Sequence, residues 1–249
     1  KVLWISPNGG RFNSENLKGT GGWIASLEEA ITELCPEIEL GITFLVPSYQ
    51  SISYNQQVTY FPVCGPSQCI LSKIWNRRIS NISKREDGFV RLFVDVVNSF
   101  KPDIIHIWGC EHFYVNIVKY INCPTVVHIQ GLVSSYQNVR FPPLFSEKSS
   151  MKYLGIKERI MQYYSNKYFI KRVESEIAIG PYIKNWIGRS EWDQESILCL
   201  SPYSRYFHCD ELMRHDFMNK RWHYKYNGHL VIQSTIGDIW YKGMDTVLK

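Results

Sequence analysis

The chain has 249 residues, 45% of them apolar and 14% aromatic, with 28 Lys and Arg against 23 Asp and Glu for a formal net charge of +5. That length and apolar content suffice for a sizeable core and exclude intrinsic disorder, while the small positive excess falls short of the dense basic coat of a nucleic-acid binder. No apolar stretch reaches the roughly 18 residues of a membrane-spanning helix, so a soluble or peripheral protein is expected, with an anionic membrane surface open as a partner. Cys35, Cys64, Cys69, Cys110, Cys123, Cys199 and Cys209 lie scattered with no C-x-x-C pair. Such spacing suits buried thiols in a reducing, cytoplasmic setting better than a disulfide framework or a zinc site.

In chain order, Val2–Ile5 is a short, fully apolar run, as expected of a parallel strand covered on both faces. A polar loop and Gly19-Thr20-Gly21-Gly22 lead into Trp23, Leu27, Ala30, Ile31 and Leu34, which recur at helical spacing. Strands are expected at 42–46 and 58–63. A helical stretch follows over 70–100, with Phe89, Leu92, Phe93, Val96 and Val97 on one face, stopped by Lys101-Pro102-Asp103. Another strand over 104–108, a short amphipathic helix over 111–121 and a strand over 125–129 complete a βαβ unit. The aromatic and basic segment 151–172 leads into 175–179, then a helix near Pro181 and a strand over 196–200. The polar stretch 203–228 reads as a linker, 229–233 restarts the strand pattern, and a helix begins at Met244. The expected fold class is therefore α/β: a Rossmann-like parallel sheet flanked by helices over 1–202, a linker over 203–228, and the start of a second, truncated domain over 229–249.

In open parallel sheets ligands sit beyond the carboxyl ends of the strands, which singles out Gly21-Gly22, Gly109-Cys110-Glu111-His112, His128, Gln130 and Gly131. The glycine cluster does not fit a dinucleotide fingerprint: it follows a long loop and its third position is Ile24. Bare backbone at a helix start can instead approach a phosphate or sugar oxygen. Glu111 can accept hydrogen bonds from sugar hydroxyls or serve only as a helix-terminal carboxylate, and His112 is placed to reach a ligand. His128 and Gln130 share one strand face by period two; Gln130 can hydrogen-bond a hydroxyl but cannot act as a base. No Asp-x-Asp pair offers ligands to a divalent cation, so no metal cofactor is expected. In 151–172, Lys152, Lys157, Arg159, Lys167, Lys171 and Arg172 alternate with Tyr153, Tyr163, Tyr164, Tyr168 and Phe169. That pattern suits either an anionic bilayer surface or an ordinary helix with a solvated charged face.

Four pieces in order carry a family resemblance: Gly21-Gly22 followed by Leu27; Pro102-Asp103-Ile104-Ile105-His106; Pro124-Thr125-Val126-Val127-His128-Ile129-Gln130-Gly131-Leu132; and 229 through Lys242-Gly243-Met244-Asp245 to Leu248. Together they resemble the N-terminal, acceptor-side half of a GT-B fold glycosyltransferase, close to glycosyltransferase family 4. The resemblance implies transfer of a sugar from a nucleotide-sugar donor, with retention and without a metal, to a glycan or lipid-linked acceptor in bacterial surface polysaccharide synthesis at the inner face of the membrane. It implies donor-phosphate contacts from Gly21, Gly22 and Lys242, and acceptor contacts from Glu111, His112, His128 and Gln130. Two departures stand out: Gln130 occupies a position where the family often has histidine, and Gln233-Ser234-Thr235 replaces its usual Gly-Arg. The acidic motif of the family's donor domain would lie beyond Lys249, so this chain alone is expected to be inactive. A non-catalytic sugar- or lipid-binding module and a sugar-nucleotide epimerase remain the alternatives.

Overall fold

The computed structural model describes residues 1–12, 22–64, 82–141, 146–212, 221, 223 and 228, with the backbone alone at 82–87, 138 and 150. The apolar runs become β1 (Val2–Ile5), β2 (Leu40–Val46), β4 (Val58–Cys64), β5 (Ile104–Trp108) and β6 (Thr125–His128). Three further strands are β3 (Ser53–Asn55), β7 (Asn185–Gly188) and β8 (Arg205–His208). All lie in one sheet of order β3-β4-β2-β1-β5-β6-β7-β8. Every pairing is parallel except that of β3, which closes a hairpin onto β4. β1 is central, with Val2 opposite Leu40 on one side and Ile104 on the other. The strand order reverses between β1 and β5, and such a switch point opens a crevice at the carboxyl edge.

The helices are α1 (Gly22–Leu34), α2 (Ile82–Phe100), α3 (Val133–Tyr136), α4 (Glu147–Met151), α5 (Ile156–Ile179) and α6 (Glu191–Leu200). Successive strand residues point to opposite faces, so β1 and β5 each feed two cores. Leu3, Ile5, Ile105 and Ile107 pack with Val90 and Phe93 of α2, Ile179 of α5 and Ile197 of α6. Trp4, Trp108, Ile42 and Tyr60 pack with Ile24 of α1. Right-handed crossovers explain the split: α1 returns the chain toward β2, while α2, α5 and α6 carry it the other way and so lie on the opposite face.

Several expectations shift. The segment 196–200 is the end of α6, not a strand: Ser190 caps that helix by accepting from the Asp193 amide, and Asp193 bonds back to the Ser190 amide. The segment 175–179 is the last turn and a half of α5, and Pro181 stands in a single 3-10 turn before β7. The helix expected over 111–121 is the 3-10 helix Phe113–Lys119. In the stretch expected to be linker, Arg205–His208 pairs in register with Asn185–Gly188 and extends the sheet. The backbone ladder thus outweighs polar composition there. Residues 229–249 lie outside the described residues.

Candidate active site at the carboxyl ends of the strands

The loop after β1 is built on a buried carboxylate. Glu28 of α1 is 1% exposed, accepts from the Arg11 amide at 2.7 Å and takes a short hydrogen bond from the Tyr60 hydroxyl. Burial raises its pKa and, with the Glu28 contact, raises that of Tyr60, so the phenol keeps its proton and donates it to the carboxylate. Gly10 adopts φ +57 beside the Glu28 carboxylate, where a Cβ would collide with it. Gly22 is the first residue of α1, with its carbonyl accepting from Ser26 Oγ at 2.8 Å. Its neighbour Trp23 packs on Trp108 with ring centroids 4.8 Å apart. Gly21 and Lys242 lie outside the described residues.

After β5 the chain turns at Gly109, φ +89, a conformation that favours glycine; a Cβ there would meet Glu111 Oε2 at 2.5 Å. Glu111 and His112 then line a cavity of about 430 Å³ between the 3-10 helix and α5. Burial lifts the Glu111 carboxyl to about 7, against its own backbone amide hydrogen bond and the pull of nearby Arg172, and among the described residues its Oε2 has no hydrogen-bond partner. Arg172 Nε donates to the Glu111 carbonyl at 3.1 Å. His112 Nε2 stands 3.9 Å from Glu111 Oε1, and burial and Arg172 lower its pKa. A carboxyl that titrates near neutrality inside a cavity is suited to proton exchange with a ligand.

His128 ends β6 on the other face of the sheet. Its ring stacks on Trp108 at 4.6 Å, and its Nδ1 shares a 3.3 Å hydrogen bond with His106 Nε2. Burial holds both imidazoles neutral, pushing His128 down to about 4 and His106 to about 3; the Arg189 charge adds to the effect on His128, as protonated His128 would on His106. Among the described residues, the buried nitrogens His128 Nε2, Trp108 Nε1 and Gln130 Nε2 find no hydrogen-bond partner. Unpaired polar atoms at the tips of adjacent strands are costly unless a ligand or water completes them.

The acceptor-binding residues expected from sequence therefore fall into two groups. Glu111 and His112 face the cavity beside α5, whereas His128 faces the Trp108 side. Sequence reasoning missed Glu176, whose carboxylate accepts from the amides of Val133 and Ser134 at 2.8 Å each and so fixes the loop after β6. Its signal was an acid set three residues from both Val173 and Ile179 on the buried stripe of α5. Among the described residues no group of three or more His, Cys, Asp or Glu converges as a metal site would require. No described helix is long and apolar enough to cross a membrane.

The sheet order and the layers make this a Rossmann-like α/β fold of the kind that forms half of a GT-B glycosyltransferase. Sucrose-phosphate synthase from Thermosynechococcus elongatus is similar in structure, with a TM-score of 0.50 and 12% identity over 83% of this chain and 47% of that one. Os79 from O. sativa, in complex with U2F and trichothecene, gives 0.46 and 8% identity over 78% and 48% of the two chains. The E. coli trehalose-6-phosphate protein bound with UDP-2-fluoro glucose gives 0.40 and 11% over 79% and 41%. The chain spans about half the length of these structures. The likeness to the sucrose-phosphate synthase, at that identity, shows the fold alone. No family model matches the chain, and no curated protein matches it in sequence.

Proposed function

We propose that this chain is the acceptor-side half of a glycosyltransferase that moves a sugar from a nucleotide-sugar donor, with residues 229–249 opening the donor-binding lobe. The observation that carries the reading is the set of unpartnered buried nitrogens of Trp108, His128 and Gln130 at the carboxyl edge, beside the switch point between β1 and β5. Trp108 and Gln130 each offer an N–H to a sugar hydroxyl. His128, held near pKa 4, is too weak a base to take a proton at neutral pH and serves as a hydrogen-bonding group. Gly21 and Gly22 would bring backbone amides at the start of α1 to the donor phosphates, and Lys242 would meet the diphosphate from the other lobe. Those groups stabilise a leaving diphosphate without a metal ion.

The finer reading is a retaining transferase of bacterial surface polysaccharide synthesis that works on a lipid-linked acceptor at the cytoplasmic face of the membrane. Its support is the outer end of α5, where Ile156 is 80% and Met161 63% exposed next to Lys157 and Arg159, an apolar and basic surface suited to anionic lipid. The test is nucleotide release from a panel of UDP-sugars by the protein with its following domain, in wild type and Gly22→Trp. Loss of turnover in the variant is expected; equal rates would remove the glycines from the site. Acceptor binding without any transfer would favour a non-catalytic module instead. Sedimentation with anionic vesicles at low and high salt checks the membrane contact.

A further inference from the structure

The cavity beside Glu111 has a charge imbalance that the transfer of a sugar does not by itself explain. Lys119, Lys171 and Arg172 line it, opposed by Glu174 and Glu111. Among the described residues none of these cations makes an ion pair. Arg172 is fixed at the wall by its bond to the Glu111 carbonyl, and Lys119 Nζ lies 5.0 Å over the Tyr182 ring. Unneutralised cations gathered around a concave surface are what a phosphate requires. We propose that this cavity binds the phosphate group of a phosphorylated ligand through Lys119, Lys171 and Arg172, with Glu111 taking up a proton as the anion enters. That the ligand is the acceptor rests on the transferase reading; the anion site does not.

The proton link follows from what faces Glu111. On its own segment the Cys110 thiol is kept protonated by burial, and His112 has its pKa lowered below the ordinary imidazole value. From the 3-10 helix, burial keeps the Tyr114 phenol neutral and Lys119 contributes positive charge. From α5 come the cations Lys171 and Arg172 and the acids Glu174 and Glu176, the last of which raises the Glu111 pKa. Burial lifts the Glu111 carboxyl to about 7, so it changes charge close to neutrality. As a carboxylate it repels an incoming dianion; protonated, it is neutral and the repulsion is gone.

Titration calorimetry with inorganic sulfate, which carries no proton of its own near neutrality, tests the site directly. Sulfate affinity is expected to fall by roughly an order of magnitude from pH 6.5 to pH 8 as Glu111 ionises. Glu111→Gln should abolish that dependence and bind at pH 8 as wild type does at pH 6.5, and Lys119→Gln with Lys171→Gln should weaken binding by roughly tenfold or more. The proposal is overturned by absence of sulfate and phosphate binding at millimolar concentration, by binding that ignores the two lysines, or by a pH dependence that survives Glu111→Gln. Displacement of sulfate by soluble glycerol 3-phosphate marks a free phosphate ester as the ligand, displacement by phosphatidate vesicles marks a lipid headgroup, and displacement by neither sinks the site. A sulfate site in a protein that transfers no sugar would defeat the transferase reading alone.

Discussion

Glu176 and Glu111 come from neighbouring elements to the same corner of the molecule, yet their surroundings are opposite. Glu176, 2% exposed, faces the start of α3, where backbone amides have no helical partner, and its two oxygens receive Val133 N, Ser134 N, Ser134 Oγ and the Cys110 thiol. Glu111 follows the turn at Gly109, looks into the cavity, and leaves Oε2 with no donor. A buried carboxylate is structural where amides, hydroxyl and thiol complete both of its oxygens and titratable near neutrality where one oxygen is left without a donor.

Removing each side chain in turn separates the two roles. Glu176→Ala strands four donors and should cost about 3–5 kcal/mol in urea denaturation, since each buried donor left unpaired costs about 1–3 kcal/mol. A cost below about 1 kcal/mol would mean that water replaces the carboxylate freely. Glu111→Gln should do the reverse. The folded-state pKa of Glu111 is raised to about 7 from the ordinary 4.5, so its stabilising contribution is complete below pH 4.5 and lost as pH rises through 7. The variant should therefore be more stable than wild type at pH 8 by about 2–3 kcal/mol.

The histidine pair sharpens the contrast with a slope of opposite sign. His106 and His128 have folded-state pKa values depressed to about 3 and about 4, so the stability they confer is present above pH 6.5 and lost as pH falls toward those values. Each should cost about 2 kcal/mol by pH 5. In wild type this acid limb is partly masked by Glu111; in Glu111→Gln the melting temperature should drop more steeply between pH 6.5 and 5, and a flat profile would contradict the buried, neutral pair. The smallest effect calibrates the rest: Ser190→Ala removes the cap of α6, remote from both glutamates, and should cost about 1 kcal/mol by the same denaturation measurement.

The five apolar strands were legible because covered parallel strands are nearly continuous hydrophobic runs. β7 and β8 were not: Asn185–Gly188 and Arg205–His208 carry too few aliphatic side chains and are held by backbone pairing to a sheet already formed. The misread strand at 196–200 shows the cost of judging Ile197, Leu198 and Leu200 by hydrophobicity while overlooking Ser190 and Asp193, the capping pair upstream. Strand-tip logic singled out Glu111, His112, His128 and Gln130 as candidates. It could not separate them by face or couple them to Arg172, 61 residues away along the chain from Glu111, because those relations depend on how α5 crosses the sheet.

The uneven anchoring of α5 has a thermodynamic corollary. At 24 residues it is about 36 Å long, while the four- and five-residue strands beneath it span about 17 Å at most. Its carboxyl-terminal turns are pinned by Val173, Glu176 and Ile179, whereas its opening turns expose Ile156, Ile160 and Met161. The rod should unzip from its amino-terminal end, with amide deuteration quick before Asn166 and slowing sharply toward Ile179.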